Sequence, residues 1–252
     1  MEGVIVKILK KPRLKDPILI EGLPGVGNVG KISAEYIMRK VKAKKFAEIY
    51  SKYFPPQVLP KGDGTIYLVR NELYYKKIKN GRDLIFLVGD YQGISSEGQY
   101  ELSYEVLKIV KEFGCKFILT LGGYGTGLFN ETPRVFGAAT SKEYIEEFRK
   151  LGVIFSPTDP GGGIVGAAGL LLGLGKEFFG MEGVCIMGET SGYISDPKAA
   201  LNVVEVVDKY LNLGIDLEEL REKSKKIEDL TTSMTLKLKE EEKKIEKLDY
   251  YA

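Results

Sequence analysis

The feature that most restricts the fold is a repeated order: a short run of consecutive apolar residues, a loop rich in glycine, then apolar residues at helical spacing. From Asp83 onward the chain reads LIFLVG, a helix over Gly98 to Phe113, KFILTLGGYG, and a loop with Thr126-Gly127. There follow a short strand or hairpin around Arg134 to Thr140, a helix over Ser141 to Leu151, the strand GVIFSP, a glycine-rich helix, GVCIMG and a helix over Pro197 to Leu211. Runs that are apolar at every position suit strands covered on both faces, and strands separated by helices suit parallel pairing, which needs a crossover. The order predicts an α/β three-layer sandwich with a mostly parallel, mixed sheet.

The first third adds variety to this order. GVIVKIL and PILIEG are strand candidates, and PILIEG runs into the turn EGLPGVGNVG before the helical KISAEYIMRKV. KFAEIYSKY forms a further strand candidate halted by Phe54-Pro55-Pro56, since proline lacks the donor a ladder needs. Thr65 to Arg70 and Glu72 to Ile78 alternate around Asn71 and suggest a β-meander.

Residues 1–213 are assigned to the α/β core and residues 214–252 to a charged, amphipathic helical appendage. In the appendage Leu220, Ile227, Met234 and Leu248 fall on a seven-residue beat, with Leu238 and Ile245 on the companion position and Glu241 interrupting the seam. The stripe of Leu220, Ile227, Met234, Leu238 and Ile245 is expected to face protein, either its own core or another subunit. An amphipathic helix has little reason to order with its apolar side in water.

Composition excludes more than it offers. The chain has no histidine, which removes Ser-His-Asp and Cys-His nucleophile pairs and His-ligated zinc. The charges nearly cancel to a formal +2, so no broad field favours nucleic acid or membrane as a partner. The two cysteines, Cys115 and Cys185, sit in apolar runs and read as buried small hydrophobes. No metal site, cofactor or catalytic residue is assigned, and a cytoplasmic location is expected. Lysine greatly outnumbers arginine and glutamate is abundant, the enrichment of heat-adapted proteins, so a thermophilic source is expected.

Gly25, Gly27 and Gly30 make a G-x-G-x-x-G between a strand and a helix, the context of a dinucleotide fingerprint, with Glu48 near the end of a following strand. Pro24 before the first glycine and the meander after the helix argue against it, and glycines also serve sharp turns and close packing alone. Gly123 lies in a second cluster, GGYGTG, and TDPGGGIVGAAGLLLGLG could expose amides at a helix start or lie close against the sheet. Glu189 and Thr190 follow GVCIMG, where Glu189 could serve as an acid or base; equally, they belong to the loop before the helix that Asp196 and Pro197 begin. The chain closes Tyr250-Tyr251-Ala252, an aromatic tail whose carboxylate a cation and backbone donors can capture.

EGLPGVGNVG, TLGGYGTG, TDPGGGIVGAAGLLL and GETSGYISDPKAALNVV, in this order over about 200 residues, resemble the archaeal relatives of the second subunit of the eukaryotic proteasome assembly chaperone. The resemblance implies a fold like that of nucleoside phosphorylases, homo-oligomers, and binding rather than catalysis. It implies the core proteasome α ring as partner, with another assembly factor as a second candidate. Tyr250, Tyr251 and Ala252 match the hydrophobic-tyrosine-any ending that proteasome activators insert between α subunits, although the hydrophobic position is here a tyrosine. The alternative is a phosphorylase-like or hydrolase-like enzyme that acts on a nucleotide-type small molecule through the glycine-rich loops.

Overall fold

The structure, a computed structural model, describes residues 3–128, 130, 132–156 and 163–229. Its strands are β1 (Val4–Ile8), β2 (Ile18–Glu21), β3 (Lys44–Ser51), β4 (Val58–Pro60), β5 (Ile66–Leu68), β6 (Asn71–Lys76), β7 (Leu84–Gly89), β8 (Phe117–Gly125), β9 (Val135–Ala139) and β10 (Glu182–Thr190). The helices are α1 (Val29–Lys40), α2 (Ser96–Glu112), α3 (Lys142–Arg149), α4 (Ala167–Phe179) and α5 (Pro197–Leu211), and residues 218–229 are also helical.

Eight strands form one sheet in the order β1-β3-β6-β7-β2-β8-β10-β9. The middle, β7-β2-β8-β10, is parallel. The wing β1-β3-β6-β7 and the edge pair β10-β9 are antiparallel. The expected mixed sheet is present with its parallel strands at the centre, and of the expected meander the run Glu72 to Ile78 takes its place as β6 between β3 and β7. Two details differ from the sequence reading. β4 and β5 leave the meander as a separate hairpin, because Pro55 and Pro56 turn the chain away from the ladder. GVIFSP makes only one parallel bridge, Phe136 to Ile154, along the outer side of β9.

The two-residue period of the central strands divides the core. Ile18, Ile20, Phe86, Phe117, Leu119, Val184 and Ile186 pack into one cluster with Val29 and Ile37 of α1 and Val203 and Val207 of α5. Leu19, Ile85, Leu87, Ile118, Cys185 and Met187 pack into the other with Leu102 and Val106 of α2 and Leu171 of α4. A fully buried side chain of this size is worth about 1.5–3 kcal/mol, so covering both faces is what holds the sheet centre. Cys115 and Cys185 are buried and free, and burial pushes their thiols up to about 11 and about 12, which leaves them as inert hydrophobes.

Local caps match the sequence. Ser95 Oγ accepts from the amide of Gly98 at the start of α2, and Asp196 Oδ1 accepts from the amide of Ala199 at the start of α5, with Pro197 in the first helical turn.

Candidate functional site

The carboxyl ends of the parallel strands gather the first two glycine clusters and the described part of the third, which begins at Gly163. Gly25 leads a tight turn at Val26–Asn28, in which Gly27 has φ +59 and Asn28 φ 50, and α1 begins at Val29. Gly30 starts the helix where it crosses β8, and a Cβ there would overlap the carbonyl oxygen of Leu121. At Gly27 a Cβ would stand 2.8 Å from Thr190 Oγ1, and at Gly123 it would overlap the carbonyl of Val26. The glycines therefore let three loops of the same chain touch, with neighbouring protein atoms occupying the space that side chains would need.

Further hydrogen bonds close the turn. Gln92 Nε2 donates to the carbonyl of Pro24 (2.7 Å), and the amide of Ala167, first residue of α4, donates to Gln92 Oε1 (2.9 Å). The amide of Asp196 donates to the carbonyl of Gly27 (2.8 Å), and the amide of Thr126 to that of Thr190 (2.9 Å). Glu48, the candidate ribose partner, lies on β3, with β6 and β7 between it and β2. It is engaged there by Lys45 (3.1 Å) and the Tyr50 hydroxyl (2.9 Å). The dinucleotide constellation is not assembled around this turn. The residues Thr158 to Gly162 of the third glycine cluster lie outside the described residues.

Glu189 is 2% exposed, and Arg134 holds it through several atoms, with the Asn130 side chain as a further hydrogen-bond partner. Arg134 donates through Nε to Oε2 (2.9 Å), through Nη2 to Oε1 (2.8 Å) and through its own amide to Oε2 (3.1 Å). These hydrogen bonds, led by the Arg134 side chain, hold the Glu189 carboxyl below the usual carboxylate range. An ionised, bidentately clamped carboxylate is a poor proton donor and has both oxygens engaged. Thr190 Oγ1 accepts from the amide of Gly192 (3.3 Å) and closes its own loop.

The sequence reading passed over Glu21, whose signal was visible as an acidic residue at the end of the apolar run Ile18 to Ile20. It is 1% exposed, and burial raises its carboxyl to about 8, opposed by a bond from the amide of Leu23 to Oε1 (2.9 Å). Oε2 is buried without a hydrogen-bond partner among the described residues, and the register partner of Glu21 on β8 is the buried Thr120. The neutral acid is the form the site holds at pH 7.

Of the appendage stripe, Leu220 is 0% exposed within the cluster around α1 and α5. Ile227 lines a groove of about 820 Å³ with Ile32, Tyr36 and Met38 of α1, Pro197 and Leu220. The helix over residues 218–229 is tied down by Glu219 to Arg39 (2.7 Å) and Glu228 to Lys198 (2.8 Å). Exposed pairs of this kind are worth under about 1 kcal/mol each, so the buried Leu220 is the stronger anchor. Met234, Leu238, Ile245, Tyr250, Tyr251 and Ala252 lie outside the described residues.

Comparison with known proteins adds what the geometry alone cannot. Residues 19–235 match the model of the PAC2 family. An uncharacterised protein of Methanocaldococcus jannaschii is 45% identical over 215 residues, which is 85% of this chain and 81% of that protein. Among solved structures, PbaB of Pyrococcus furiosus, described as an archaeal proteasome activator, is 42% identical with a TM-score of 0.88, covering 93% of this chain and all of that one. PbaA of the same organism, described as an archaeal homologue of proteasome-assembly chaperone, is 29% identical with a TM-score of 0.78, covering 98% of this chain and 97% of its own. With the match spanning every strand of the sheet but β1, both helix layers and the start of the appendage, the chain belongs to the PAC2 family.

Proposed function

We propose that this chain is a homo-oligomeric proteasome-binding protein, an assembly chaperone or activator, that docks on the α ring of the core proteasome through its C-terminal tails. The observation that carries this reading is the 42% identity to PbaB, a proteasome activator, over 93% of this chain. The terminal Tyr250-Tyr251-Ala252 supplies the contact. The Tyr251 ring buries apolar area in a groove between α subunits while its hydroxyl finds a hydrogen-bond partner. The Ala252 carboxylate meets a lysine, and Tyr250 covers the rim. A three-residue anchor is weak alone, and several tails on one oligomer strengthen binding by about 10² to 10⁴ when the geometry fits.

A binding role rather than catalysis is supported by the filled glycine turns and by the clamping of Glu189 to Arg134. The test is deletion of Tyr250 to Ala252. Pull-down of the core particle and any stimulated peptide hydrolysis are expected to disappear, with melting temperature and oligomeric state nearly unchanged. Undiminished binding by the truncated protein refutes the tail as the anchor. Absence of binding by the intact protein, once carboxypeptidase digestion has shown the tail accessible, refutes the partner.

A further inference from the structure

The glycine-rich pole has an opposite, where the parallel strands begin, and its chemistry is different. Residues 10–16 and 76–83 contribute eight lysine and arginine side chains against two acids. The two segments are joined by Asp83, which is buried. Its Oδ2 accepts from the amide of Lys15 (2.7 Å), its Oδ1 accepts from the amide of Ile78 (2.8 Å), and its own amide donates to the carbonyl of Lys15 (3.1 Å). The second acid, Asp16, pairs with Arg82 at 2.8 Å. Both acids are thereby committed, and Lys10, Lys11, Arg13, Lys15, Lys77 and Lys79 stand exposed with no carboxylate partner among the described residues. Four of them, Arg13, Lys15, Lys77 and Lys79, line an open pocket of about 590 Å³ floored by Leu14 and Ile78.

Exposed lysines without an ion pair also occur elsewhere on the described surface, as at Lys52, Lys116 and Lys150, and what distinguishes this pole is that four such cations line one pocket. Elsewhere Lys31 pairs with Glu35, Lys40 with Asp216, Lys45 with Glu72, Arg149 with Glu146 and Lys223 with Glu219. These pairs set cation beside carboxylate, whereas at this pole the cations that line the pocket face one another. Like charges held together repel, and an anion placed among them relieves that repulsion.

We propose that this basic pole is a docking site for an acidic polypeptide segment of a partner protein, separate from the C-terminal tails. The lining favours that ligand over others. Five of the six unpaired cations are lysines, which act as point charges rather than the bidentate forks that fix a phosphate. No aromatic ring lines the pocket, so it offers no stacking platform for single-stranded RNA. Leu14 and Ile78 give an apolar floor for a side chain between carboxylates, and charge complementarity of this kind steers encounter and selects partners.

Fluorescence anisotropy on the full-length chain, with a labelled peptide of alternating glutamate and leucine as probe, tests the site. Binding is expected, and it should weaken as salt rises from about 0.05 to about 0.5 M because screening shortens the reach of exposed charges. The double variant Lys77→Ser, Lys79→Ser should weaken binding about tenfold at low salt with an unchanged melting temperature. The variant Lys150→Ser, Lys209→Ser makes the same change in net charge elsewhere and should bind like the parent. The proposal is overturned by any of three results: no binding by the intact chain, equal loss in the two double variants, or stronger binding by tripolyphosphate or single-stranded RNA than by the peptide.

Discussion

The ends of β2 and β10 place two glutamates in nearly the same situation, and the two turn out chemically opposite. Glu21 and Glu189 both stand near the carboxyl end of a parallel strand and both are withdrawn from water. Glu189 has Arg134 on both oxygens and is ionised; Glu21 has one backbone amide on one oxygen and is held neutral. Burial alone raises a carboxyl, and a cation in contact reverses it. The two turns beside them differ in the same sense: at Glu21 the glycines bring backbone against backbone, and at Glu189 a side-chain ion pair stitches β10 to the segment before β9. Position at a strand end is thus insufficient to mark a functional acid, because the partner decides its state.

The largest effect expected is at Gly30. Gly30→Ala sets a methyl against the Leu121 carbonyl and should cost about 3 kcal/mol or more in denaturant unfolding, since neither α1 nor β8 can withdraw cheaply. Gly25→Ala, whose Cβ would stand 3.7 Å from Gln92 Nε2, should cost less than about 0.5 kcal/mol. Equal costs at the two positions would break the view that this motif builds the fold through close packing.

A pH series distinguishes the two glutamates. The folded pKa of Glu21 is raised from 4.5 to about 8, so the folded state keeps a proton that the unfolded chain releases. Its contribution is full below about pH 4.5 and is lost as pH rises toward 8, about 3 kcal/mol of it by pH 7. Glu189, held low by Arg134, contributes with the opposite sign: its share is present above the unfolded carboxylate pKa and is lost as pH falls through the folded one. Unfolding of Glu21→Gln across pH 4.5 to 8 should therefore lack the decline seen in the parent while keeping the acid-side loss. A parental profile without that decline would mean Glu21 has a partner for its charge.

The smallest effect concerns the clamp. Arg134→Gln leaves Glu189 buried without its cation and should destabilise by about 2 kcal/mol, less than a fully buried pair because the Arg134 side chain is 58% exposed. The acid-side loss should move to higher pH in the same variant. A stability change under about 0.5 kcal/mol would show that the remaining donors, the Arg134 amide and the Asn130 side chain, hold Glu189, and the contrast with Glu21 would then rest on uncharged hydrogen bonds.

Most of the sheet was legible before any coordinates, because LIFLVG, KFILTLGGYG and GVCIMG are apolar at consecutive positions and are followed by helical spacing. The caps at Ser95 and Asp196 act within three residues of themselves. GVIFSP was misread since an apolar run carries the same signal whether it joins a ladder or only borders one, and here β9 takes the place beside β10. The β4-β5 hairpin followed from the prolines only once β3 was seen to pair with β6.

The candidate site was less legible for the same reason. The glycine motif was visible, but its meaning depended on Leu121 and Thr190, which lie about a hundred residues or more away in the chain. Glu189 was singled out while its partner Arg134, 55 positions earlier, was not. The basic pole was hidden by a net charge near zero, which averages over the surface and does not show where cations converge.

What the sequence by itself determined is local: the period of each element, the turns where glycine is tolerated, the caps and the family to which these motifs correspond. Tertiary structure alone decided which strand lies beside which, which carboxylate meets a cation, and which lysines are left without one. The physical reason is range. Propensity, periodicity and capping act over a few residues, whereas burial and charge pairing depend on neighbours that the fold brings from distant parts of the chain.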